Sequence, residues 1–378
     1  MINAKVTPLR GLCFTLIYFN NIKTPIMYAL RQTPARLRFF MKYLLLSGCF
    51  LLAGGIQAQD IIYSQFYAAP LQINPAFAGN TLAPRLGVNY RNQWPSLKAY
   101  STYSVSYSQF LPSMNSGLGV MLTTDDAGDG LYKTNRFGVN YAYRLQVTRE
   151  FNLKLGVEAG LMQSNVDWNR LIFLDQIDPI NGPRDPGGAP FPTEEVAPLE
   201  FNKSYFDVAA GVLAYGEMFY GGISLKHLST PDDGILNVNT NLYNGLPMRV
   251  SLHGGAQIPI GPRNVRNKKA FVSPNVLFIK QGDFGQINGG AYFGLGMFFA
   301  GVWYRHAFGN QDAVISLVGV KKDILKIGYS YDATVSELAG INPGGSHEIS
   351  VILNFDESER LKKRRRAERL NDCFQLFR

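Results

Sequence analysis

Beyond residue 82 the chain alternates apolar and polar side chains with period two, segment after segment. Across 85–91, Arg85, Gly87, Asn89 and Arg91 are polar or small, with Leu86, Val88 and Tyr90 between them. Across 136–145, Arg136, Gly138, Asn140, Ala142 and Arg144 alternate with Phe137, Val139, Tyr141, Tyr143 and Leu145. Across 151–161 the odd positions are apolar, and Asn152, Lys154, Gly156, Glu158 and Gly160 take the even ones. Successive side chains of a strand point to opposite faces, so this period describes strands with one apolar and one wet face. Fourteen such segments can be drawn, near 83–93, 98–110, 116–124, 131–146, 150–164, 203–215, 217–228, 246–260, 270–280, 284–296, 297–307, 312–320, 322–333 and 345–355. Most have the roughly 9–11 residues that a tilted strand needs to cross a bilayer. No apolar run after Asp60 is long enough for a transmembrane helix. The pattern predicts an all-β fold: a transmembrane, antiparallel, up-and-down β-barrel of about 14 strands over residues 83–355.

Connection lengths test this independently. If the N-terminus is periplasmic, odd-numbered connections face outward; the fifth (165–202), seventh (229–245) and thirteenth (which includes 335–344) are long. The connections at 215–217, 295–297 and 321–322 are short, as periplasmic turns are. The short ninth and eleventh connections and the basic stretch 260–269 are exceptions. The last strand alternates Ile349, Val351, Leu353 and Phe355 and closes on an aromatic residue, as outer-membrane barrels commonly do. With 20 Tyr and 25 Phe the chain can furnish aromatic girdles at both interfaces.

The ends change the compartment and the charge. Residues 41–58 combine a Lys42 head, an uncharged apolar run and the small residue Ala58, the order of a signal peptide cleaved before Gln59. Residues 1–40 then read as a mis-called upstream extension. Two alternatives are a translated extension acting as an anchor, and a lipid-attachment box at Leu46–Cys49. The chain carries a net +9, but residues 1–58 hold seven basic and no acidic side chains, leaving 9 − 7 = +2 beyond them. Residues 356–378 carry eight basic and five acidic side chains, so the basic balance belongs to the ends and nucleic-acid binding has no support. This tail should hang in the periplasm, either solvated or as a docking arm. Beyond residue 58 only Cys373 remains, which excludes an internal disulfide or a cysteine metal site there.

Several stretches in this order carry a resemblance: YSQFYAAPLQINPAFAG (63–79), YRNQW (90–94), DDAGDG (125–130), YFDVAAGVLAYG (205–216), GISLKHLSTP (222–231), SPNVLF (273–278), GVWYRH (301–306), GYSYDATVS (328–336) and GGSHEIS (344–350). Together they resemble the PorP/SprF outer-membrane proteins of the type IX secretion and gliding-motility system of Bacteroidetes. The resemblance implies a non-enzymatic component, without cofactor, that assists export or surface attachment of large secreted proteins such as adhesins. Its implied partners are outer-membrane lipid, the type IX translocon, periplasmic ring lipoproteins and a secreted cargo. The alternative is a FadL-like or porin-type transporter of small solutes.

Candidate sites follow from the pattern. Residues 59–82 precede the first strand and are too apolar for a free tail. Asn74, Pro75, Ala76, Phe77 and Gly79 form a turn motif, since Pro75 fixes its own φ and keeps Asn74 out of the helical region. This segment is expected either to enter the barrel as a periplasmic-side plug or to lie along its rim. By alternation Arg85, Arg91, Arg136, Arg144, Lys154, Glu158, Lys226, Arg249, Arg305, Lys326, Asp332 and Glu348 face the lumen, because on the lipid face such charges would be costly near the midplane, about 2–4 kcal/mol for each Arg or Lys and less for Asp or Glu. Bases outnumber acids nine to three in that set, which favours anions if water fills the lumen. His227 and His306 are expected to face outward. DDAGDG fails as a calcium loop, because position 3 is Ala127 and position 12 is Arg136, so it reads as a hairpin turn. Ser346-His347 adjacency does not make a triad, and no catalytic or metal residues are assigned.

Overall fold

The computed structural model describes residues 60–148, 150–179, 182–198, 200–235, 245–260, 270–308, 312–335 and 344–357. The extension at 1–40, the signal segment at 41–58 and most of the basic tail lie outside them. Fourteen wall strands run in chain order: β1 (Arg85–Gln93), β2 (Tyr100–Leu111), β3 (Ser116–Ala127), β4 (Tyr132–Gln146), β5 (Asn152–Val166), β6 (Asn202–Tyr215), β7 (Phe219–Lys226), β8 (Arg249–Ala256, resuming as Ile258–Ile260), β9 (Ala270–Gln281), β10 (Phe284–Leu295), β11 (Phe298–Ala307), β12 (Ala313–Lys322), β13 (Leu325–Thr334) and β14 (Ser346–Asn354). The two pieces of β8 keep one register against β9. Their break falls beside Pro274, which has no N–H to give the ladder. Every neighbouring pair is antiparallel, and β1 pairs with β14 from Arg85↔Asn354 to Gln93↔Ser346, which closes the barrel.

The physical signature is inverted relative to a water-soluble sandwich. In β5 the even positions Asn152 to Ser164 are buried inside, whereas Leu155, Val157 and Leu161 are about half exposed on the outside (49, 53 and 54%). No helix among the described residues is long and apolar enough to cross a membrane. Crossing is left to strands, whose backbone groups pair with their neighbours across the hydrocarbon once the sheet closes. One end of the barrel carries the short turns 112–115, 216–218, 296–297 and 323–324. The other carries 167–201, 227–248 and 335–345.

Residues 63–81, ahead of β1, are buried without interruption. They run inside the wall as a one-turn helix, α1 (Pro70–Ile73), and a 3-10 turn (Pro75–Phe77). Phe66 packs edge-on to Trp303 of β11 (centroids 4.9 Å apart), and Tyr67 packs edge-on to Tyr292 of β10 (5.3 Å). On the opposite wall, Phe77 stacks on His253 of β8 at 5.2 Å. Two glycines make this fit possible. A Cβ at Gly156 of β5 would overlap the backbone of Ala76, and one at Gly117 of β3 would overlap the carbonyl of Ala78.

Candidate functional site

A segment that is mostly neither helix nor sheet has few internal partners for its peptide groups, and burying them unpaired costs about 1–3 kcal/mol each. Here the wall supplies the partners, and it sorts them by sign. Cations and a hydroxyl take the carbonyls. Arg85 Nη2 donates to Tyr67 O and Ala68 O, both at 3.1 Å. Arg249 Nη2 donates to Gln72 O (2.7 Å), Lys226 Nζ to Leu71 O (3.5 Å), and Ser224 Oγ to Ile73 O (2.5 Å). Lys154 Nζ donates to Ala78 O. Carboxylates take the amides: Glu348 accepts from Ser64 N (2.8 Å) and Gln65 N (2.9 Å), and Asp356 from Ala83 N (3.0 Å).

The turn motif contributes its own side chain. Asn74 is extended (φ −151°, ψ 123°), and its Oδ1 accepts from Ala76 N at 2.8 Å. Its Nδ2 donates to the carbonyls of Val212 (3.0 Å) and Ile223 (3.1 Å), on β6 and β7. Pro75, Ala76 and Phe77 form the buried 3-10 turn that follows. Gly79 has φ +64°, and its N–H donates to Ser108 Oγ at 2.7 Å.

Two charge groups lie in the lumen. In the first, Arg91 bridges Asp332 (3.0 Å) and Glu348 (3.2 Å), and Arg305 also reaches Asp332 (3.0 Å). Ser64 Oγ sits among them, donating to Asp332 (2.6 Å) and accepting from Arg91 (2.7 Å) and Arg305 (2.6 Å). The second gathers Arg136, Glu158, Asp207, Lys226, His227 and Arg249 around Asp60. Arg136 meets Glu158 at 2.5 Å and Asp207 at 3.5 Å, and Lys226 meets Glu158 at 3.4 Å. Asp60 Oδ2 is 2.8 Å from Arg249, 2.9 Å from His227 Nε2 and 4.0 Å from Arg136. Burial alone would raise the Asp60 carboxyl, but His227 and Arg249 outweigh it and hold the group well below the ordinary carboxylate value. The cavity between Ile61–Phe66, Arg249 and Ile279 is about 10 Å³, room for about one water.

The remaining expected lumen charges take other roles. Lys326 lies over the rings of Tyr67 (4.1 Å) and Phe299 (5.0 Å). Arg144 has the inward phase but sits at the short-turn end, over the Phe110 ring at 4.3 Å and bonded to Asn115. One expectation is corrected. His227 does not face outward; it is fully buried, because its left-handed backbone (φ 59°) ends β7 and breaks the alternation. Its Nδ1 is 2.9 Å from Asp207 Oδ2. His306 keeps the outward phase and meets Asp312 at 2.9 Å. His347, beside Ser346, meets Tyr329 Oη at 2.8 Å. The Gly128–Leu131 region is the turn between β3 and β4, and no group of three or more His, Cys, Asp or Glu among the described residues could hold a metal.

Asp60 and Asp207 are lumen acids that alternation missed. Asp207 is the single charged residue within 204–215, a usable signal, but Val208, Ala210 and Val212 outside match Ala209 and Leu213 inside and hide the phase. Asp60 precedes every strand, so no pattern places it.

A closed, lumen-packed, antiparallel barrel with an apolar outer band is an outer-membrane β-barrel protein. The family model described as "Type IX secretion system membrane protein PorP/SprF" matches residues 56–353, and the chain belongs to that family. It is therefore an outer-membrane component of type IX secretion. No curated protein matches the sequence. Among solved structures, the Ralstonia pickettii toluene transporter TbuX is 10% identical with a TM-score of 0.41, over 75% of this chain and 91% of its own. BamA from Haemophilus ducreyi is 11% identical with a TM-score of 0.36, over 72% and 70%. Omp33 from Acinetobacter baumannii is 8% identical with a TM-score of 0.37, over 72% and 97%. Likeness this remote says nothing of substrate.

Proposed function

We propose that this protein is a plugged, non-catalytic barrel that assists export or surface attachment of large secreted proteins, rather than a conduit for solutes. The observation that supports this reading most is the unbroken burial of residues 63–81 inside the wall, with their peptide groups held by wall side chains. A solute channel needs a wetted lumen, and here the lumen cations are engaged by carboxylates, carbonyls or rings. In this reading residues 41–58 direct export, and the short-turn end with the basic tail faces the periplasm. The translocon, the periplasmic ring lipoproteins and a secreted adhesin or similar cargo are the partners. The test is planar-bilayer conductance of the full chain and of a variant lacking 61–80. A closed full chain and an open variant support the plug. Steady conductance or solute flux through the full chain overturns it and favours a FadL-like or porin-type transporter. Loss of an adhesin from the cell surface in a deletion strain, with unchanged solute uptake, tests the export role.

A further inference from the structure

The wall is uneven at the long-loop end. β4, β5 and β6 run past the last large apolar residues of their outer faces, Phe137, Leu161 and Phe206. The next outward positions are Asn135 and Lys133, Gln163 and Asn165, and Ser204 and Asn202. Such side chains belong in water, so these strands leave the hydrocarbon and stand above it as a three-stranded flap. β3 covers one side of the flap, pairing with β4 up to Ala127↔Tyr132.

Among the described residues, the other side is open. β6 pairs with β5 from Asn202 to Tyr215, but with β7 only from Ala210 to Tyr215. At His227 the chain turns away, and two bonds follow: Leu228 N donates to Val208 O (3.0 Å) and Ser229 Oγ to Phe206 O (3.3 Å). Val166 N donates to Phe201 O, so odd residues of β6 bond to β5 and even residues point their N–H and C=O to the open side. Among the described residues, the N–H groups of Ser204 and Phe206 and the carbonyls of Asn202 and Ser204 have no partner there. Edges of this kind are templates for another strand.

A second observation points to what docks. Asp232 and Gly234 both bind Lys203 of β6, at 2.6 and 2.8 Å, which holds Asp233 near the start of that strand, on the side of Lys203 and Tyr205. Asp233 is buried, and its Oδ1 has no hydrogen-bond partner. Lys203 and His227 attract this carboxylate without touching it, so an arriving cation would be its first direct ion-pair partner among the described residues. A second copy in the same membrane does not fit the edge. Barrel strands tilt by roughly 35–45°, and a two-fold along the membrane normal makes the two edges cross instead of aligning.

We propose that Asn202–Phe206 is a docking edge for an extended segment of an exported polypeptide, which adds to β6 as a strand and brings a lysine or arginine to Asp233. This rests on the secretion reading above. The test uses the full chain in detergent and labelled peptides of alternating threonine and valine, with a central lysine or a central glutamate. The lysine peptide is expected to bind about tenfold more tightly than the glutamate peptide, the scale of one answered charge. Asp233→Asn should erase that preference. Ser204→Pro removes an edge N–H, spares the bonds to β5, and should weaken both peptides about tenfold. A lysine peptide N-methylated on its pairing side probes the same bonds without touching the barrel and should also fail to bind. Equal binding of the two charges, or full binding by the methylated peptide, overturns the proposal. In cells, normal export by Ser204→Pro/Asp233→Asn with export lost in the deletion strain removes the edge and leaves the secretion reading. Normal export in the deletion strain removes that reading instead.

Discussion

Around Arg91 the wall neutralises itself. Arg91 and Arg305 face Asp332 and Glu348, and the segment adds only neutral groups from Ser64 and Gln65. Around Arg249 it does not. The wall offers Arg136, Lys226 and Arg249 against Glu158 and Asp207, and the third carboxylate is Asp60, which arrives with the segment. Withdraw the segment and the first group keeps its charges paired, while the second is left with a cation in excess. The first group is therefore a part of the barrel that the segment leans on, and the second is a socket that the segment completes. Opening the lumen should be resisted mostly at the Asp60 end.

The sharpest way to break the comparison is to keep both groups and deny the segment its seat. Gly156→Leu places a side chain where the Ala76 backbone lies, against a wall that cannot recede. The barrel should still insert, since β5 keeps its register. Residues 60–81 should become protease-sensitive, and conductance should rise to that of the deletion variant. Unchanged protection would mean that the segment is not seated against β5.

Within the groups the order of effects should follow who depends on whom. Glu348→Gln leaves Arg91 and Arg305 sharing Asp332 and weakens two amide contacts, a buried-pair loss of about 3–5 kcal/mol. This should appear as a large fall in the urea midpoint of the whole barrel. Asp60→Asn should cost less, about 1–3 kcal/mol, because Arg136 keeps Glu158 and Arg249 keeps Gln72 O. Its signature is selective: residues 60–66 should lose hydrogen-exchange protection while β1 and β14 do not. Equal loss in both regions would erase the distinction between wall and socket.

Much of this architecture was legible in the alternation. Every strand in which one face is wet and the other greasy, such as β4 or β5, could be phased from the residues alone, because a charge on the lipid side is so costly. The excess of nine bases over three acids is narrower in the structure, for two physical reasons. Asp60 and Asp207 add carboxylates that pattern could not see, and Arg85, Arg249 and Lys154 bond peptide carbonyls. A periodicity argument counts side chains against solvent; it has no way to know that the solvent has been replaced by a polypeptide. His227 was misplaced because one left-handed residue resets the period, and His offers no glycine-like warning of it.

The smallest predicted effect bears on the same contrast. Ser64 lies within reach of both arginines and Asp332, so it looks central to the first group. Yet Arg91–Asp332, Arg91–Glu348 and Arg305–Asp332 hold without it. Ser64→Ala removes a hydroxyl whose partners remain mutually satisfied, and its cost should be about 1 kcal/mol, read as a small shift in urea midpoint with conductance unchanged. A loss as large as that of Glu348→Gln would mean that the segment, not the wall, organises both groups, and the wall could no longer be regarded as a finished structure into which the segment docks.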